Sequence, residues 1–557
     1  MKARLLFAPF AVALLASLSI ATVHAEDLPR RTALDDYIQK PDDSYSWKVV
    51  SSEEKDGVKT VVIDMVSQHW LTKEEVNQPE WRHWLTLTIP QQVTSDVGML
   101  FIGGGRNNEG KPRSNERTDA IAKATGTVVT ELGLIPNQPL IFHNDGVERV
   151  EDDLIGYTWD QFLKTGDAKW PARNAMVKGA VRAMDTITAY MASDEGGNQT
   201  VDRFTVAGGS KRGWTTWLTG AVDDRVVAII PIVIDVVNAY DSMNHHFAAY
   251  GFWAPAVGNY VEHKIMERMD HPRLQELYEL VDPYYYRHRL TMPKLVLNAA
   301  GDQFFLPDSS QFYWDDLRGE NYLRYVANGD HGLDKTDAVE SIVAFHSLIA
   351  QGKKPPQYSW TINDDGSIQV MTKDKPVEVR LWQASNPEAR DFRKETLGPK
   401  YTSTVIEPGQ DGLYVANAST PDKGWTAYFL EMTYDVGAAT PLKLTTEVKV
   451  TPDTLPFEGK PSNLPGSITV VAKAPDASAA KRIAEEAKVL VKSQDFTKDG
   501  LASHVSGKRL FLHFIPNGDA RKGLEMMAGY LKKQNCEDLT YQLESGPEMT
   551  LPPILAD

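Results

Sequence analysis

A serine between a predicted strand and a predicted helix is the first candidate for chemistry in this sequence. The motif G-G-S-K-R-G occupies residues 208–213 and places Ser210 three residues after the segment 203–207, which reads as a strand, and before a helical pattern. A nucleophilic serine needs a sharp turn, and small neighbouring residues allow that turn to close. The first N–H groups of the helix then point to where negative charge develops on a substrate oxygen. We therefore predict that Ser210 is a nucleophile.

The motif resembles the nucleophile elbow of α/β-hydrolases, whose usual pattern is G-x-S-x-G. It departs from that pattern because Arg212 fills the second glycine position and Gly213 follows one residue later. The alternative is a tight structural turn that contains a serine. We also expect Arg212, beside the nucleophile, to contact the substrate.

In this fold the acid and the histidine follow the serine along the chain, each after a strand. Asp302 comes shortly after the apolar segment 294–299, and His331 follows the segment 322–327. We predict a triad in which Ser210 attacks a carbonyl carbon, His331 transfers the proton and Asp302 orients the imidazole. Asp308 and Asp330 are the alternative acids.

The predicted oxyanion donors lie after another apolar run. Gly103-Gly104-Gly105 follows residues 97–102, where lipases and esterases carry an HGGG-type stretch. Ile102 occupies the place of the histidine, so only the glycines match. We expect N–H groups of Gly104, Gly105 and Lys211 to stabilise the oxyanion, and a glycine-rich turn without catalytic duty is the alternative.

The elements around these residues alternate between strands and helices as far as residue 351, with a polar loop at 144–153. This alternation predicts an α/β fold, an α/β-hydrolase core with a mostly parallel sheet, over residues 26–351. Residues 238–291 interrupt the core as a lid-like, helical insertion. The acidic residues of 148–153 form either a site for a cationic group, such as a peptide N-terminus, or a solvated loop.

Beyond a short linker at 352–356 the helical pattern disappears. Seven short alternating segments with turn signals between them predict a small β-sandwich over residues 358–450. After a proline-rich stretch, mixed strand and helix patterns predict a C-terminal α+β region over residues 466–549.

The N-terminus predicts export. Lys2 and Arg4 precede an apolar run that ends at Val23-His24-Ala25, the order of a signal peptide that spans residues 1–25. We expect a periplasmic or secreted protein with no stable membrane insertion after cleavage. An uncleaved N-terminal anchor is the alternative.

Composition excludes several classes of protein. With 59 basic and 75 acidic residues the net charge is −16, which argues against a general nucleic-acid binder. Cys536 is the one cysteine, so neither an intrachain disulfide nor a thiolate zinc site is available. The histidines show no metal-ligand spacing, and we expect no metal and no cofactor.

Four stretches together resemble the PhoPQ-activated pathogenicity-related family. They are G-G-S-K-R-G-W-T-T-W (208–217), P-I-V-I-D-V-V-N (231–238), Y-T-W-D (157–160) and N-G-D-H (328–331). The resemblance implies an exported, α/β-hydrolase-like protein that the family name links to virulence and antimicrobial-peptide resistance. The Ser210-Lys211 step is also similar to G-C-S-R-x-G of glucuronoyl esterases, which implies that Lys211 assists the oxyanion, although Gly209 replaces the cysteine.

The candidates for substrate binding are aromatic residues of the insertion. Tyr250, Trp253 and His246 form either a wall of the substrate pocket or the core of the inserted helices. Two functions remain open. The first is a serine hydrolase that cleaves a small-molecule ester or a peptide, and the second is a non-enzymatic peptide-binding protein that retains the hydrolase fold.

Overall fold

The structure, a computed structural model, describes residues 31–269, 271–458, 468–494, 497–506, 508–516, 520–543 and 549–550. The predicted signal peptide, residues 1–25, lies outside these ranges. Within them, no helix has both the length and the apolar composition that crossing a membrane requires.

A nine-stranded sheet forms the centre of the first part of the chain. Its strands are β1 (Ser46–Lys55), β2 (Val58–His69), β3 (Glu80–Pro90), β4 (Val97–Ile102), β5 (Val129–Leu132), β6 (Arg203–Gly209), β7 (Val226–Ile232), β8 (Lys294–Ala299) and β9 (Asn321–Val326). They lie in the order β1-β2-β3-β5-β4-β6-β7-β8-β9. The first three are antiparallel neighbours and the remaining six are parallel to one another.

Helices cover both faces of this sheet. They are α1 (Ala33–Gln39), α2 (Glu116–Thr125), α3 (Glu151–Thr165), α4 (Ala172–Met191), α5 (Lys211–Val222), α6 (Ala239–Tyr250), α7 (Gly258–Glu262), α8 (Pro272–Val281) and α9 (Ala338–Ala350). Successive strand residues point to opposite faces, so Ile229 belongs to the apolar cluster of α4 and α5, and Ile230 to that of α2 and α9. This burial on both faces explains the continuous apolar runs of the sequence. The predicted α/β-hydrolase fold with a mostly parallel sheet is confirmed.

The insertion between β7 and β8 is helical. It contains α6, α7 and α8 together with three short 3-10 helices, Pro255–Val257, Met266–Arg268 and Pro283–Tyr286. Two further 3-10 helices, Ser309–Phe312 and Trp314–Asp316, lie between β8 and β9.

The next region contains two antiparallel sheets. Its elements are β10 (Tyr358–Ile362), β11 (Ile368–Thr372), β12 (Glu378–Asn386), α10 (Lys394–Leu397), β13 (Thr402–Val405), a 3-10 helix (Gln410–Gly412), β14 (Leu413–Ala416), β15 (Trp425–Tyr434), β16 (Leu442–Thr445) and β17 (Lys449–Thr451). One sheet has the order β10-β11-β14, and the other has the order β13-β12-β15-β16 with β17 beside β15. Val370 of the first sheet and Leu430 of the second share one apolar cluster. Phe429, on the opposite face of β15, packs 6.3 Å from the Tyr325 ring of β9.

The C-terminal region has a third sheet and its own apolar cluster. Its elements are β18 (Ile468–Lys473), α11 (Ala477–Gln494), β19 (Thr497–Ser506), β20 (Arg509–Pro516), α12 (Ala520–Lys533), β21 (Glu537–Leu543) and β22 (Met549–Thr550). The antiparallel order β19-β20-β18-β21-β22 and the βαββαβ succession match the ferredoxin-like arrangement. Arg509 of β20 contacts Glu262 of α7 at 2.6 Å, so this region touches the helical insertion.

Candidate active site

Ser210 lies in the turn between β6 and α5 in a strained backbone conformation. Its φ and ψ angles are 57° and −127°, and such conformations cost about 1–3 kcal/mol in a non-glycine residue. The Ser210 N–H donates to the carbonyl oxygen of Ile232 at 2.8 Å and ties the turn to the end of β7. Strain of this kind presents the hydroxyl of a nucleophile elbow. Ser210 therefore has the backbone position that the sequence predicts for a nucleophile.

The unusual glycine spacing has a steric cause. A Cβ on Gly208 would lie 2.7 Å from the carbonyl oxygen of Arg212, and a Cβ on Gly213 would lie 2.9 Å from the carbonyl oxygens of Gly208 and Ile232. Strand and helix are therefore in close backbone contact at both Gly208 and Gly213. Gly213, the second glycine of the motif, allows this contact although it stands one residue later than usual. The Arg212 side chain points away from it.

Asp302 and His331 form the expected acid–imidazole pair. His331 Nδ1 donates to Asp302 Oδ2 at 2.8 Å. The second oxygen of Asp302 accepts from the Phe304 N–H at 2.7 Å, and the His331 N–H donates to Gln303 Oε1 at 3.1 Å. The Phe304 ring lies 4.3 Å from the imidazole. These contacts fix the ring orientation and leave Nε2 as the nitrogen that can accept a proton.

His331 Nε2 is buried and has no hydrogen-bond partner among the described residues. No hydrogen bond therefore joins it to the Ser210 hydroxyl in the described part of the chain. Catalytic hydrogen bonds are often long in active sites without substrate and shorten in the substrate complex. The structure thus brings Asp302 and His331 together and places Ser210 on the elbow, with its hydroxyl not yet bonded to the imidazole.

The two alternative acids have other partners. Asp308 accepts from Arg390 at 2.5 Å and contacts His245 Nε2 at 3.1 Å. Burial opposes ionisation of Asp308, but the charges of Arg390 and His245 hold its pKa well below its usual range. Asp330 pairs with Lys394 at 3.1 Å. Of the three candidate acids, Asp302 is therefore the one that contacts His331.

The basic residues after the serine are neutralised by the start of α3. Arg212 donates from both terminal nitrogens to Glu151 at 2.8 and 2.7 Å, and from Nε to the carbonyl oxygen of Ile135 at 2.6 Å. Lys211 Nζ contacts Glu151 at 2.8 Å and Asp152 at 3.1 Å. Burial opposes ionisation of Glu151, but the Arg212 hydrogen bonds and the two positive charges hold its pKa well below its usual range. Arg212 thus directs its guanidinium to protein groups, and the predicted acidic site is an internal ion-pair network.

The glycines after β4 lie next to this network. A Cβ on Gly104 would lie 2.8 Å from Arg212 Nη2, so the guanidinium packs directly on the glycine backbone. Gly104 accepts from the Leu134 N–H at 2.7 Å, and Gly105 has a φ of 129°. Neither glycine is among the described residues that line the cavity at Ser210. Arg212 therefore connects the glycine loop to the elbow.

A largely apolar cavity of about 50 Å³ opens beside Ser210. The insertion contributes much of its wall, and the loops after β7 and β8 add to it. These apolar residues include Met243, Val257, Ile265, Tyr278, Ile234, Phe304 and Phe305. The polar groups in the wall come from Asp152, Arg173, Lys211 and Tyr260. His331 and Gly209 border a second, more polar cavity of about 340 Å³ between α2 and α9. The elbow thus separates two cavities.

The three aromatic residues predicted for the pocket lie elsewhere in the insertion. His246 is fully buried, and its Nε2 accepts from the Ala254 N–H at 3.0 Å. The rings of Tyr250 and Trp253 lie 4.8 and 5.6 Å from its imidazole. Burial lowers the pKa of His246 to about 3, so the ring is neutral. None of the three lines the Ser210 cavity. They pack inside the insertion, in agreement with the alternative that they form the core of its helices.

Sequence reasoning missed Arg173 and the role of Glu151. Arg173 is the second residue of α4, next to the buried Ala172 and two positions before the buried Ala175. A charged residue on the apolar stripe of a helix is the signal that points to it. Glu151 is separated from Arg212 by 61 residues. The acidic character of residues 148–153 was the only feature of the sequence that pointed to an ion pair there.

The chain is similar in sequence to a known family and to a known protein. Residues 34–393 match the family described as PhoPQ-activated pathogenicity-related protein. The chain is 38% identical over 456 residues to autocrine proliferation repressor protein A of Dictyostelium discoideum, and the match covers 76% of this chain and 92% of that protein.

Among solved structures, acetyl xylan esterase 1 from Thermoanaerobacterium sp. covers 57% of this chain and 91% of that chain, with 14% identity and a TM-score of 0.40. A glucuronoyl esterase from Solibacter usitatus covers 55% of this chain and 86% of that chain, with 16% identity and a TM-score of 0.32. The extent of the family match and the identity to the Dictyostelium protein show that the chain belongs to the PhoPQ-activated pathogenicity-related protein family.

Proposed function

We propose that this protein is a serine hydrolase that cleaves an ester or a peptide bond through Ser210, His331 and Asp302. The observation that carries the proposal is the 2.8 Å contact between His331 Nδ1 and Asp302 on the sheet edge that also holds the strained Ser210. A lone serine turn or a lone buried histidine pair has structural explanations. Their combination at the ends of β6, β8 and β9 supports a site for acyl transfer.

In the proposed reaction Ser210 Oγ attacks the carbonyl carbon while its proton passes to His331 Nε2. The imidazolium that forms is stabilised by Asp302 and then protonates the leaving alcohol or amine. In the second half a water molecule attacks the acyl-serine and gives a proton to Nε2. As the bond between the acyl carbon and Oγ breaks, the imidazolium returns a proton to Oγ, which releases the acid and restores Ser210 and neutral His331. His331 Nε2, which has no hydrogen-bond partner among the described residues, is the group that accepts the proton in both halves.

The oxyanion is expected to bind at the start of α5. The Lys211 N–H follows the nucleophile directly, and preorganised N–H donors stabilise developing charge without rearrangement. The Lys211 ammonium group lies between Glu151 and Asp152, so its charge is largely cancelled before substrate arrives. We therefore assign the oxyanion role to the backbone of Lys211, with Gly104 and Gly105 as the second source of donors.

The test is turnover of a panel of neutral nitrophenyl esters and short peptides by the full-length exported protein. We expect hydrolysis by the wild type and its loss in Ser210→Ala, a substitution that removes one oxygen atom. The matched control is Ser242→Ala in α6, which also removes one hydroxyl, a buried one that donates to the Val237 carbonyl oxygen. Equal turnover in wild type and Ser210→Ala would exclude the proposal.

The absence of a Ser210–His331 hydrogen bond in the described structure favours one second candidate, a peptide-binding protein that retains the fold without turnover. The same panel of esters and peptides distinguishes the two candidate functions. A binding protein would retain peptides in equilibrium dialysis and release no product from any ester. A hydrolase would form product and lose this activity with Ser210.

We further propose that the protein is exported to the periplasm or secreted. The support is the order of basic, apolar and small residues in the first 25 positions. N-terminal sequencing of exported protein should begin at Glu26, and an intact, membrane-bound N-terminus would contradict this. A role in virulence is proposed from the family description alone.

A further inference from the structure

Arg173 is a buried cation in the wall of the Ser210 cavity. Its side chain is 1% exposed and extends from the first turn of α4 to the space below the elbow. The guanidinium lies 3.9 Å from the ring centroid of Trp214 and 5.8 Å from that of Trp159. These contacts hold the guanidinium plane at the boundary between the aromatic wall and the cavity.

No carboxylate forms an ion pair with Arg173 within the described part of the chain. Its Nη1 donates to the carbonyl oxygen of Lys211 at 3.3 Å, while its buried Nε has no hydrogen-bond partner. Removing a guanidinium from water without a paired anion is costly. Burial accordingly lowers the pKa of Arg173. A ligand anion in the cavity would supply a direct ion-pair partner and an acceptor for Nε.

The anionic groups around Arg173 already have partners. Asp152 contacts Lys211 at 3.1 Å and accepts from the Tyr260 hydroxyl at 3.1 Å. Asp282 accepts from the Ala239 N–H at 2.7 Å and the Tyr284 N–H at 3.0 Å. Lys211 and Arg212 pair directly with Glu151 and Asp152. Arg173 has no such direct ion pair among the described residues, although the charges of Asp152 and Asp282 oppose the effect of burial on its pKa.

We propose that the substrate of Ser210 carries a carboxylate that binds Arg173, and that its remaining part is apolar. The inference rests on the proposed function, since it names the substrate class of the same site. A planar carboxylate matches the fork of one guanidinium. A phosphate dianion fits less well because the carboxylate of Asp152 belongs to the same cavity wall.

The position of Arg173 also limits the length of the substrate. Its guanidinium bonds to the residue directly after the nucleophile, so the carboxylate lies only a few bonds from the carbonyl that Ser210 attacks. The walls between them are apolar, with Met243, Val257 and Phe304 among the lining residues. The substrate class is therefore a short, apolar ester or amide with a free carboxylate at one end.

The experiment compares matched esters that differ only in this charge. Monomethyl adipate and dimethyl adipate place the carboxylate on the acyl side, and 4-acetoxybenzoate and 4-acetoxybenzamide place it on the alcohol side. In at least one of the two pairs, we expect the wild type to hydrolyse the anionic ester with a kcat/KM about 10- to 100-fold higher than that of the matched neutral ester. Arg173→Met should remove this preference, so that the ratio of kcat/KM for the anionic ester to that for the neutral ester falls to about 1.

Arg149→Met is the control variant. Arg149 is also buried and lies 4.0 Å from an aromatic ring, that of Tyr157, but it pairs with Asp145 and does not line the cavity. This variant should keep the wild-type preference. The inference is overturned if the wild type shows no preference in either pair, or if Arg173→Met retains it.

A binding measurement on the wild type covers the case in which Arg173→Met does not fold. Calorimetry should show tighter binding of 3-phenylpropionate than of 3-phenylpropionamide, and equal binding would overturn the inference. The same measurement separates the two proposals. If no ester or peptide is hydrolysed, the proposed function fails, whereas preferential binding of the carboxylate still supports the site at Arg173.

Discussion

Asp302 and Asp308 follow the same strand and are both buried, but they contact different groups. Asp302 holds His331, so Asp302→Asn should lower kcat by about 10⁴-fold, the loss known for an acid that orients a catalytic histidine. The amide can present its NH₂ group to Nδ1 and thereby favour the wrong tautomer. Steady-state kinetics on a neutral ester measure this effect.

The control for Asp302→Asn is Asp330→Asn. Asp330 is adjacent to His331 in sequence, and its side chain is 37% exposed and paired with Lys394. We expect near wild-type kcat for this variant. A loss in Asp330→Asn with an active Asp302→Asn would mean that the acid is assigned to the wrong residue. Asp308→Asn is unsuitable as a control because it breaks the buried pair with Arg390, which costs about 3–5 kcal/mol of stability.

Asp235 gives a pH dependence of stability that is separate from catalysis. Burial raises its pKa to about 8 although the Tyr313 and Tyr325 hydroxyls both donate to it at 2.6 Å. The unfolded side chain has a pKa of about 3.9, so between these values the folded state binds the extra proton. Stability should therefore fall as the pH rises from about 4 to about 8, by about 1.4 kcal/mol per pH unit.

Asp235→Asn removes this titration. The free energy of unfolding of the variant, relative to that of the wild type, should increase from pH 5 to pH 7.5. Urea denaturation at the two pH values measures the difference. A constant difference would show that Asp235 is ionised in the folded protein at both values.

The triad residues could be proposed from the sequence because each follows an apolar strand in a known chain order. The partners of Arg212 were not, because Glu151 is 61 residues away and the pairing depends on how α3 meets α5. The contacts of the aromatic residues in the insertion were likewise not predictable from the sequence. A run of aromatic side chains indicates burial but does not indicate which cavity, if any, they line.

At the level of elements, the loop that carries Asp302 is held by the segment around α10. The Lys394 N–H donates to the Gly301 carbonyl oxygen at 2.9 Å, and Asn328 contacts the Tyr401 backbone on the histidine side. A Cβ on Gly301 would lie 2.8 Å from the Gly329 carbonyl oxygen and 3.0 Å from Lys394 Cβ. Gly301→Ala should therefore displace Asp302 or His331 and reduce kcat.

Gly110→Ala is the matched control, because a Cβ at that position meets no atom within 4 Å. Both variants should fold, as judged by circular dichroism, and only Gly301→Ala should lose activity on a neutral ester. Wild-type kcat in Gly301→Ala would show that the α10 segment does not position the acid and histidine loops.

Most strands of the main sheet were predictable because strands buried on both faces form continuous apolar runs. Helix α3 was missed, since residues 144–153 read as a polar loop. It begins at Glu151, which has a φ of 51°, after Val150, which provides no side-chain cap. The usual start signal of a helix is therefore absent, and the ion pairs with Lys211 and Arg212 compensate in tertiary structure.

At the scale of the whole molecule, the β-rich region and the hydrolase core share buried contacts. The Tyr325 N–H of β9 donates to Thr445 Oγ1 of β16 at 2.9 Å, and Arg390 reaches Asp308. We expect truncation after Gln351 to abolish soluble expression, whereas truncation after Glu458 should retain ester hydrolysis. The C-terminal region has its own apolar cluster, so its removal leaves the core intact.

Size-exclusion chromatography and ester hydrolysis of the two truncated proteins measure this difference. A soluble, active fragment that ends at Gln351 would show that the β-rich region is dispensable for the site. The sequence indicated the boundary at residues 352–356 from the change in pattern. It contained no sign of the contacts that cross this boundary, because they join side chains far apart in the chain.

Covalent labelling of the full-length protein with a fluorophosphonate, followed by peptide mass spectrometry, tests the proposed nucleophile most directly. An activated serine displaces the leaving group of the probe whatever its natural substrate. We predict an adduct on Ser210 in the wild type and in Asp330→Asn, and a strongly reduced yield in His331→Ala. An adduct confined to another residue, or wild-type labelling in Ser210→Ala, would contradict the assignment of Ser210 as the nucleophile.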